Sequence, residues 1–456
     1  MTKMLNQFVK AMKAEGLPDM LIRTFSSYYE ALSGGKMGKI NESDISAPQS
    51  ESLVRYEDLE STGTNKLLKH IAVIKLNGGL GTSMGLSRAK SLLPVKGNMN
   101  FLDIITRHVL ALRSSSGYDV QLMFMNSFAT HQDTMDYLAK YPDLVKQSLP
   151  IAFVQNKFPR ILQDTLAPFE SKDKDQRWNP PGHGDLYTAI STSGILEGLI
   201  AQGYRYAFVA NSDNLGAVVD PAIAAYMEKN DIPFLMEVCQ RSQMDSKGGH
   251  LAQDKEGNLL LREIAQCPEE DLASFQDIDK YKYFNTNNLW IDLKALEWHL
   301  ITNEGLMLLP LIVNPKVVQD QKVYQLETAM GAAISSFKGS RALVVPRQRF
   351  APVKKTNDLL AIWSDLYELN DQYQLKLKRG IEKIPYIELD PRYYASIDQM
   401  RKRFTGIPSL AGCKELKIEG DVSFDNDVIC DGRVHVKAQN PVRISNRLIT
   451  GEVNYE

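Results

Sequence analysis

Apolar runs that suit buried strands alternate with helix-like periodic segments through the middle of the chain, from Ile71 to about Pro346. This alternation is typical of a mostly parallel sheet that is covered by helices on both faces. The predicted strands are residues 71–76, 120–125, 151–155, 206–210, 234–239, 259–264 and 288–293. The predicted helices are residues 102–112, 130–140, 188–202 and 221–229. We therefore expect an α/β fold whose central part carries the chemistry.

The two ends of the chain have patterns that differ from the middle. Apolar positions recur at three and four in residues 21–32, which predicts a helical N-terminal region over residues 1–65. Residues 356–370 predict an amphipathic helix, and beyond Pro408 short alternating segments are separated by glycines. Such short strands at regular spacing favour a β-solenoid over a small sandwich. The predicted domains are residues 1–65, a catalytic domain at 66–350, and a linker helix with a C-terminal domain at 351–456.

The composition limits the classes of partner. The 456-residue chain has a formal net charge of −2 at pH 7, which argues against nucleic acid or an anionic membrane as the main partner. Its four cysteines lie far apart, which is typical of a reduced cytosolic setting. The longest apolar run, residues 306–313, is too short to span a bilayer, and residues 1–20 lack the unbroken apolar core of a signal peptide. We expect a cytoplasmic protein with no nucleic-acid or membrane partner.

A glycine-rich loop, LNGGLGTSMG at residues 76–85, follows the first predicted strand and precedes Lys90. Ligands of open α/β sheets bind at the carboxyl ends of strands, and glycine amides can approach an anion closely, so this loop predicts a phosphate site. A Walker A loop would need lysine directly after Gly85, and a dinucleotide fingerprint would need one residue fewer between Gly81 and Gly85. These two hypotheses lose weight, while a glycine turn without a ligand remains an alternative.

A second loop, NSDN at residues 211–214, follows the predicted strand at 206–210, so Asp213 is expected at the same edge of the sheet. A single carboxylate, completed by water and phosphate oxygens, is a common way to hold Mg²⁺. The alternative is an Asx turn that caps the next helix.

Three further motifs carry polar groups that suit a hydroxyl-rich ligand. In PPGHGD at residues 180–185 the glycines permit close backbone approach and His183 offers a neutral donor or acceptor, although a rigid Pro-Pro turn is the alternative. The amides of FNTNNLW at residues 284–290 need partners, which are either a sugar or one another. Glu327, at the predicted start of a helical stretch in QLETAMG at residues 325–331, bonds a sugar hydroxyl or complements the helix start.

Cations are concentrated between residues 345 and 355, where the central body meets the C-terminal part. Charge runs of this kind are usually solvated faces. Here the flanking prolines restrict the backbone around Lys354, which favours a more specific role.

Taken in order, these motifs closely resemble those of the eukaryotic-type UTP–glucose-1-phosphate uridylyltransferases, also called UDP-glucose pyrophosphorylases. The matching segments are LNGGLGTSMG, Lys90-Ser91, PPGHGD, NSDNLG, FNTNNLW, QLETAMG and RFAPVK, the last at residues 349–354. The segment FVQNKFPRILQDTL at residues 153–166 is most similar to the protozoan branch. One departure is Ala89, where many relatives have proline, and this loosens the backbone restraint on Lys90 without removing its charge.

The resemblance implies a Rossmann-like nucleotidyltransferase domain with a mixed, mostly parallel sheet, and a C-terminal left-handed β-helix. The residues implied to lie near uracil and ribose, in the glycine loop through their backbone, are Leu76, Asn77, Gly78, Gly79, Gln155 and Gly182. Lys90 and Lys354 are implied to hold the triphosphate and the sugar phosphate, and Asp213 to hold Mg²⁺. The residues implied to face the hexose are His183, Asn211, Gly249, Asn288 and Glu327.

The implied reaction is reversible, magnesium-dependent transfer of a uridylyl group from UTP to glucose 1-phosphate, giving UDP-glucose and pyrophosphate. The attacking phosphate oxygen is already anionic, so catalysis reduces to positioning and charge neutralisation. A UDP-sugar or UDP-N-acetylhexosamine pyrophosphorylase is an alternative, although N-acetylhexosamine enzymes tend to carry arginine where this loop has Met84. A non-catalytic nucleotide-sugar-binding protein is another alternative. The C-terminal repeat also suits an assembly module for self-association.

Overall fold

The computed structural model describes residues 3–456, so Met1 and Thr2 of the predicted N-terminal region lie outside the described residues. This region begins with helices Lys3–Ala14 and Asp19–Ser33, whose aromatic rings pack on one another and on Phe158. After Ser33 the described chain has no further α-helix up to residue 65. Short 3₁₀ turns follow, and Leu53–Arg55 joins the edge of the central sheet, parallel to Arg341–Val344.

The central sheet is mixed and mostly parallel, as predicted. Along its main path only one strand, Tyr283–Asp292, runs antiparallel to its neighbours, and His250–Gln253 with Leu259–Arg262 extends the sheet beside it. The strands along the path are, in spatial order, Leu53–Arg55, Arg341–Val344, Phe234–Gln240, Tyr283–Asp292, Tyr206–Asn211, Ile71–Asn77, Gln121–Asn126 and Ala152–Val154.

Helices cover both faces of this sheet, and two of its inner strands are buried along their whole length. Ile71–Asn77 and Gln121–Asn126 have no exposed position. Helix Phe101–Ser116 begins at a capping box between Asn100 and Asp103 and ends at Gly117, whose φ is +74°. The remaining helices are His131–Leu138, Pro142–Val145, Leu186–Thr192, Ile195–Ala201, Pro221–Lys229, Leu272–Gln276, Leu293–Thr302, Thr356–Trp363, Pro391–Tyr394 and Ile397–Arg403.

Two predicted helices are wrong in extent. Residues 188–202 form two helices because Gly194, with a φ of +73°, ends the first and begins the second. Residues 356–370 form a helix only to Trp363. The helix ends there because Lys96 Nζ donates hydrogen bonds to the carbonyl oxygens of Ile362 and Ser364, at 2.8 and 2.6 Å. The chain then turns into the hairpin of Tyr367–Leu369 and Leu375–Leu377.

Glu327 lies in a strand of a smaller antiparallel sheet, so the prediction of a helix start at this residue is wrong. Gln321–Thr328 is a strand, paired with Leu311–Val318 and with Ile161–Leu162, and only the following segment, Met330–Ser335, is helical. Glu327 therefore lies near the end of a strand and not at a helix start. Further short pairs join Pro94–Lys96 with Met99–Asn100 and Phe158–Pro159 with Trp178–Asn179.

The C-terminal part is built from parallel strands. Tyr386–Leu389, Cys413–Glu419, Val428–Ala438 and Arg447–Tyr455 form one sheet, and Val422–Phe424 pairs with Val442–Ile444 in another. Parallel pairing needs a coil of chain between partners, so it agrees with the predicted solenoid texture and not with a hairpin-built sandwich. Across residues 3–456, no helix combines the length and the apolar character that crossing a membrane requires.

Candidate active site

The glycine loop (residues 76–85) and the loop that carries Asp213 (residues 211–217, the Asp213 loop) meet at one edge of the central sheet, as the sequence predicts. Strands Ile71–Asn77 and Tyr206–Asn211 are parallel neighbours, with Leu76 opposite Asn211. The loops are tied together where the strands end, because the Ser212 backbone N–H donates to the Leu76 carbonyl oxygen at 2.9 Å. Asn211, predicted to face the hexose, is therefore the last strand residue at this edge.

Gln155 lies directly against the glycine loop. A Cβ atom on Gly78 would approach the Gln155 amide nitrogen to 3.2 Å, so the two residues line one surface. The Lys90 backbone N–H donates to the Gly79 carbonyl oxygen at 3.1 Å, which fixes Lys90 to the same loop. The buried Asn77 side chain is used internally, since it donates to Asn126 and Thr134 at 2.8 and 2.9 Å. A nucleotide contact by Asn77 through its backbone stays a prediction.

Lys90 and Asp213 form an ion pair across this edge. The distance between Lys90 Nζ and Asp213 Oδ2 is 2.5 Å, and both side chains are largely buried. Among the described residues, the second carboxylate oxygen, Oδ1, is buried and has no hydrogen-bond partner. An oxygen in that state suits a cation, and Mg²⁺ is commonly held by a single carboxylate with phosphate oxygens and water completing its shell. Within residues 3–456 no group of three or more His, Cys, Asp or Glu side chains could hold a metal by itself.

The segment that carries Lys354 pairs directly with the Asp213 loop. The Val353 backbone N–H donates to the Asp213 carbonyl oxygen at 3.1 Å, and Pro352 forms a β-bridge with Asn214. No ion pair engages Lys354 Nζ within the described part of the chain, and its ammonium lies 5.8 Å from the centre of the Phe350 ring. The structure therefore brings Lys354 beside Asp213 although the two are far apart in sequence.

The two predicted catalytic lysines, Lys354 and Lys90, both lie close enough to Asp358 for their charges to act on its carboxyl group. Burial raises the pKa of the Asp358 carboxyl, while backbone N–H donors and the positive charges of Lys354 and Lys90 oppose that rise. Its Oδ2 accepts hydrogen bonds from the backbone N–H groups of Lys354 and Lys355, each at 2.8 Å. This carboxylate thus fixes the backbone from which Lys354 projects.

A buried ion pair supports the Asp213 loop. Arg349 donates to Glu237 at 2.7 and 2.6 Å, and Trp290 Nε1 donates to Glu237 at 2.9 Å. Burial opposes the charge of Arg349, but the attraction of Glu237 is stronger and raises the pKa of the guanidinium. The Arg349 carbonyl oxygen accepts from the Asn214 side chain at 3.1 Å, so the pair anchors the Asp213 loop.

Asn288 belongs to this buried network. Its amide nitrogen donates to Glu237 and to the Arg349 carbonyl oxygen, and its amide oxygen accepts from Asn214 at 3.2 Å. This is the internal amide ladder that the sequence left open as an alternative. A hexose contact by Asn288 stays a prediction, and the position of its side chain favours the structural role.

Gly182, His183 and Glu327 lie together beside the small sheet. Gly182 has a φ of +78°, and a Cβ there would lie 2.5 Å from the Thr328 carbonyl oxygen, so only glycine fits. His183 Nδ1 accepts from the Met330 backbone N–H at 2.9 Å, and burial lowers the pKa of the ring to about 4. The ring is therefore neutral near pH 7, with its proton on Nε2. Burial also raises the pKa of Glu327.

This group is joined to the segment that carries Gln155 through Asp185. Its carboxylate accepts from the backbone N–H of Asn156 at 2.6 Å, and Asn156 follows Gln155 directly. Burial raises the pKa of Asp185 to about 7, although the hydrogen bonds from Asn156 lower it in part. The PPGHGD motif is thus held against the strand end that carries Gln155.

Glu263 is a candidate site residue that the sequence analysis missed. A Cβ on Gly249 would lie 2.6 Å from its carboxylate, so Gly249 is required where this acid packs. Burial raises the pKa of Glu263, while the charge of Lys354 opposes the rise, so this acid lies within the electrostatic influence of Lys354. It was missed because the predicted strand at residues 259–264 contains Glu263, whereas the observed strand ends at Arg262.

Comparison with known proteins identifies the family of this chain. The family described as UTP–glucose-1-phosphate uridylyltransferase matches residues 22–431. The chain is 41% identical over 431 residues to the UTP–glucose-1-phosphate uridylyltransferase of Musa acuminata, covering 92% of this chain and 90% of the relative. The match to UTP–glucose-1-phosphate uridylyltransferase 2 of Dictyostelium discoideum is 38% over 426 residues, covering 90% of this chain and 84% of the relative.

Solved structures give the same result. A mutant of UDP-glucose pyrophosphorylase from Leishmania major, in complex with UDP-glucose, matches with a TM-score of 0.93 and 42% identity over 100% of both chains. The resemblance drawn from the ordered motifs is confirmed. The chain belongs to the family of UTP–glucose-1-phosphate uridylyltransferases.

Proposed function

We propose that this protein transfers a uridylyl group from UTP to glucose 1-phosphate, giving UDP-glucose and pyrophosphate in a reversible reaction. The observation that carries the proposal is the ion pair of Lys90 with Asp213, with the Lys354 segment paired to the same loop. The names of the relatives, which cover most of this chain at 36–41% identity, support the same activity.

In the proposed reaction a phosphate oxygen of glucose 1-phosphate attacks the α-phosphorus of UTP in line. The new bond joins that oxygen to the α-phosphorus, and the bond between the α-phosphorus and the bridging oxygen to the β-phosphorus breaks. The electron pair leaves with pyrophosphate. The attacking oxygen is already ionised, so no side chain has to remove a proton, and the chain's residues act by positioning and by charge.

Lys90 and Lys354 are proposed to neutralise the charge that accumulates on the phosphates during attack. Lys90 is held by the glycine loop and Lys354 by the Asp213 loop, so a phosphate between the loops is approached from two sides. Asp213 is proposed to hold Mg²⁺ through its unpartnered Oδ1, and the ion would supply further neutralisation on the phosphate oxygens.

The two ends of the substrate are proposed to bind on either side of these cations. Leu76, Asn77, Gly78, Gly79, Gln155 and Gly182 are proposed for uracil and ribose. His183, Asn211, Gly249, Asn288 and Glu327 are proposed for the hexose. The neutral His183 ring, with its proton on Nε2, supports a hydrogen bond to a sugar hydroxyl.

Three broader features complete the proposal. The parallel C-terminal strands are proposed to wind as a left-handed β-helix that permits self-association. The domain boundaries are proposed at residues 65 and 350. The protein is proposed to work in the cytoplasm, and its four described cysteines, all unpaired, are consistent with a reducing compartment.

A pyrophosphate-release assay tests the function. The purified protein is supplied with UTP, Mg²⁺ and, in separate reactions, glucose 1-phosphate, galactose 1-phosphate and N-acetylglucosamine 1-phosphate. We expect the highest kcat/KM with glucose 1-phosphate and equal amounts of pyrophosphate and UDP-glucose. Faster turnover of N-acetylglucosamine 1-phosphate, or no magnesium-dependent release with any sugar phosphate, would contradict the proposal.

A further inference from the structure

We propose that Lys75, which lies outside every predicted substrate contact, is a positioning residue for the Asp213 loop, defined as residues 211–217. The inference rests on the function proposed above, because it concerns how Asp213 is presented to the metal and the phosphates. Lys75 acts through the backbone of this loop and does not touch substrate.

Lys75 lies on the strand that leads into the glycine loop. This strand, Ile71–Asn77, pairs Lys75 in register with Ala210 of the neighbouring strand. Lys75 is 4% exposed, and its Nζ donates a hydrogen bond to the Ala217 carbonyl oxygen at 2.7 Å. The ammonium also lies 5.3 Å from the centre of the Phe208 ring. The strand that begins the nucleotide site therefore holds the far end of the Asp213 loop.

The Asp213 loop has an anchor at each of three points. Near its start, Ser212 Oγ donates to Asn77 Oδ1 at 3.2 Å. In the middle, the Asn214 amide oxygen accepts from the Ala351 backbone N–H at 2.9 Å. At its end, the Ala217 carbonyl accepts from Lys75. Removing the last donor would leave a buried carbonyl without its charged partner, so the loop would relax from that end.

Stability alone does not explain a charged group at this position. A buried ammonium is unfavourable unless it is compensated, and an apolar side chain of similar length would fill the space more favourably. Burial lowers the pKa of Lys75 to about 7, the charge of Arg349 acts in the same direction, and Glu237 and Asp213 oppose it. The other titratable groups that line the small cavity beside Lys75 are His108 and Tyr373.

The acids whose charges act on this ammonium include the proposed metal ligand itself. Glu237 and Asp213 both favour the charged form of Lys75, and Glu237 also anchors Arg349 beneath the same loop. Lys75 thus connects three parts of the site, which are the nucleotide strand, the Asp213 loop and the buried ion pair. A residue in this place sets the position of Asp213 relative to the glycine loop.

The test compares Lys75→Met with Val73→Ala. Val73 lies on the same strand and lines the same cavity, but its side chain has no polar atom, so it controls for lost packing. UTP affinity is measured by calorimetry with Mg²⁺ and with EDTA, beside pyrophosphate release. We expect Lys75→Met to lose about tenfold of the magnesium-dependent gain in UTP affinity and about tenfold in kcat, with affinity in EDTA within about twofold of the parent. Val73→Ala should keep the parent's gain.

A Lys75→Met protein that behaves like Val73→Ala in both assays overturns the proposal. If the methionine variant does not fold, Lys75→Leu, which also lacks an N–H donor, is measured in its place. The same loss of the magnesium-dependent gain supports the proposal, and a gain equal to the parent's overturns it. A parent protein without magnesium-dependent turnover contradicts the proposed function itself, which separates that failure from a failure of Lys75 alone.

Discussion

Lys90 Nζ lies 2.5 Å from Asp213 Oδ2, and this contact joins the two loops that end neighbouring parallel strands. The two residues are 123 positions apart in sequence. A cation from one loop and an acid from the next are thus placed where a polyphosphate and its metal would both need charge. The proposed function depends on this contact between Lys90 and Asp213.

The Lys90 and Asp213 contact predicts that their substitutions are not additive. Lys90→Met and Asp213→Asn should each lower kcat by at least about 100-fold, because each removes charge that acts on one polyphosphate. The double variant should fall well short of the product of the two losses, because residues that act as a unit are strongly coupled. The measurement is steady-state pyrophosphate release at saturating UTP. Losses that multiply in full would show that the two side chains act on separate sites.

Lys354 should matter for turnover and not for folding. Lys354→Met is expected to lower kcat by at least about 100-fold. Its thermal unfolding midpoint should match the parent's, because the exposed ammonium is in no ion pair with the described residues. The matched control is Lys355→Met, the adjacent exposed lysine, which should keep parental kcat. Equal effects of the two substitutions would remove Lys354 from the catalytic set.

The buried pair of Glu237 and Arg349 should be important for stability. Glu237→Gln leaves a buried guanidinium without its counter-charge, and we expect a loss of about 3–5 kcal/mol in the free energy of unfolding. Urea denaturation measures this loss. Glu304→Gln, which breaks the exposed pair with Arg23, is the control and should change little. A Glu237→Gln protein as stable as its control would mean that the pair is not the anchor described here.

Much of this arrangement follows from the sequence, because buried parallel strands place their following loops at one edge. That rule predicts the glycine loop and Asp213 at the same edge, where the structure has them, and the resemblance implies that Lys354 joins them. Glu327 was assigned to a helix start because its small following residues suit a helix, whereas its strand depends on pairing with Leu311–Val318. The local sequence pattern around Glu327 does not show which other strand will pair with it.

Tertiary contacts also explain the other differences. The helix that ends at Trp363 ends there because Lys96 Nζ donates hydrogen bonds to carbonyl oxygens at its C-terminal end. Lys96 is more than 200 positions away in sequence. The amides of residues 284–290 need partners, and one partner of Asn288 is Glu237, 51 positions away, while its hexose contact stays a prediction. Polar groups in a buried motif indicate that they have hydrogen-bond partners, but they do not show whether the partner is a ligand or the protein itself.

The depressed pKa of His183 predicts a pH dependence of stability. Burial lowers this pKa from 6.5 to about 4, so between these values the unfolded chain binds more protons than the folded one. Stability from this group is therefore fully present above pH 6.5 and is lost as the pH falls toward about 4. The effect should be no more than about 3 kcal/mol. Urea unfolding of the parent and of His183→Gln across this range should show the parent losing more stability, and parallel curves would contradict the assignment.

The most direct measurement of the central claim is a crystal structure of the protein with UTP and Mg²⁺. The account predicts that the ammonium groups of Lys90 and Lys354 each lie within about 4 Å of an oxygen of one triphosphate, with the Asp213 carboxylate on the metal. A triphosphate held elsewhere, or one that reaches Lys90 and leaves Lys354 and Asp213 without contact to it or its metal, would contradict the account.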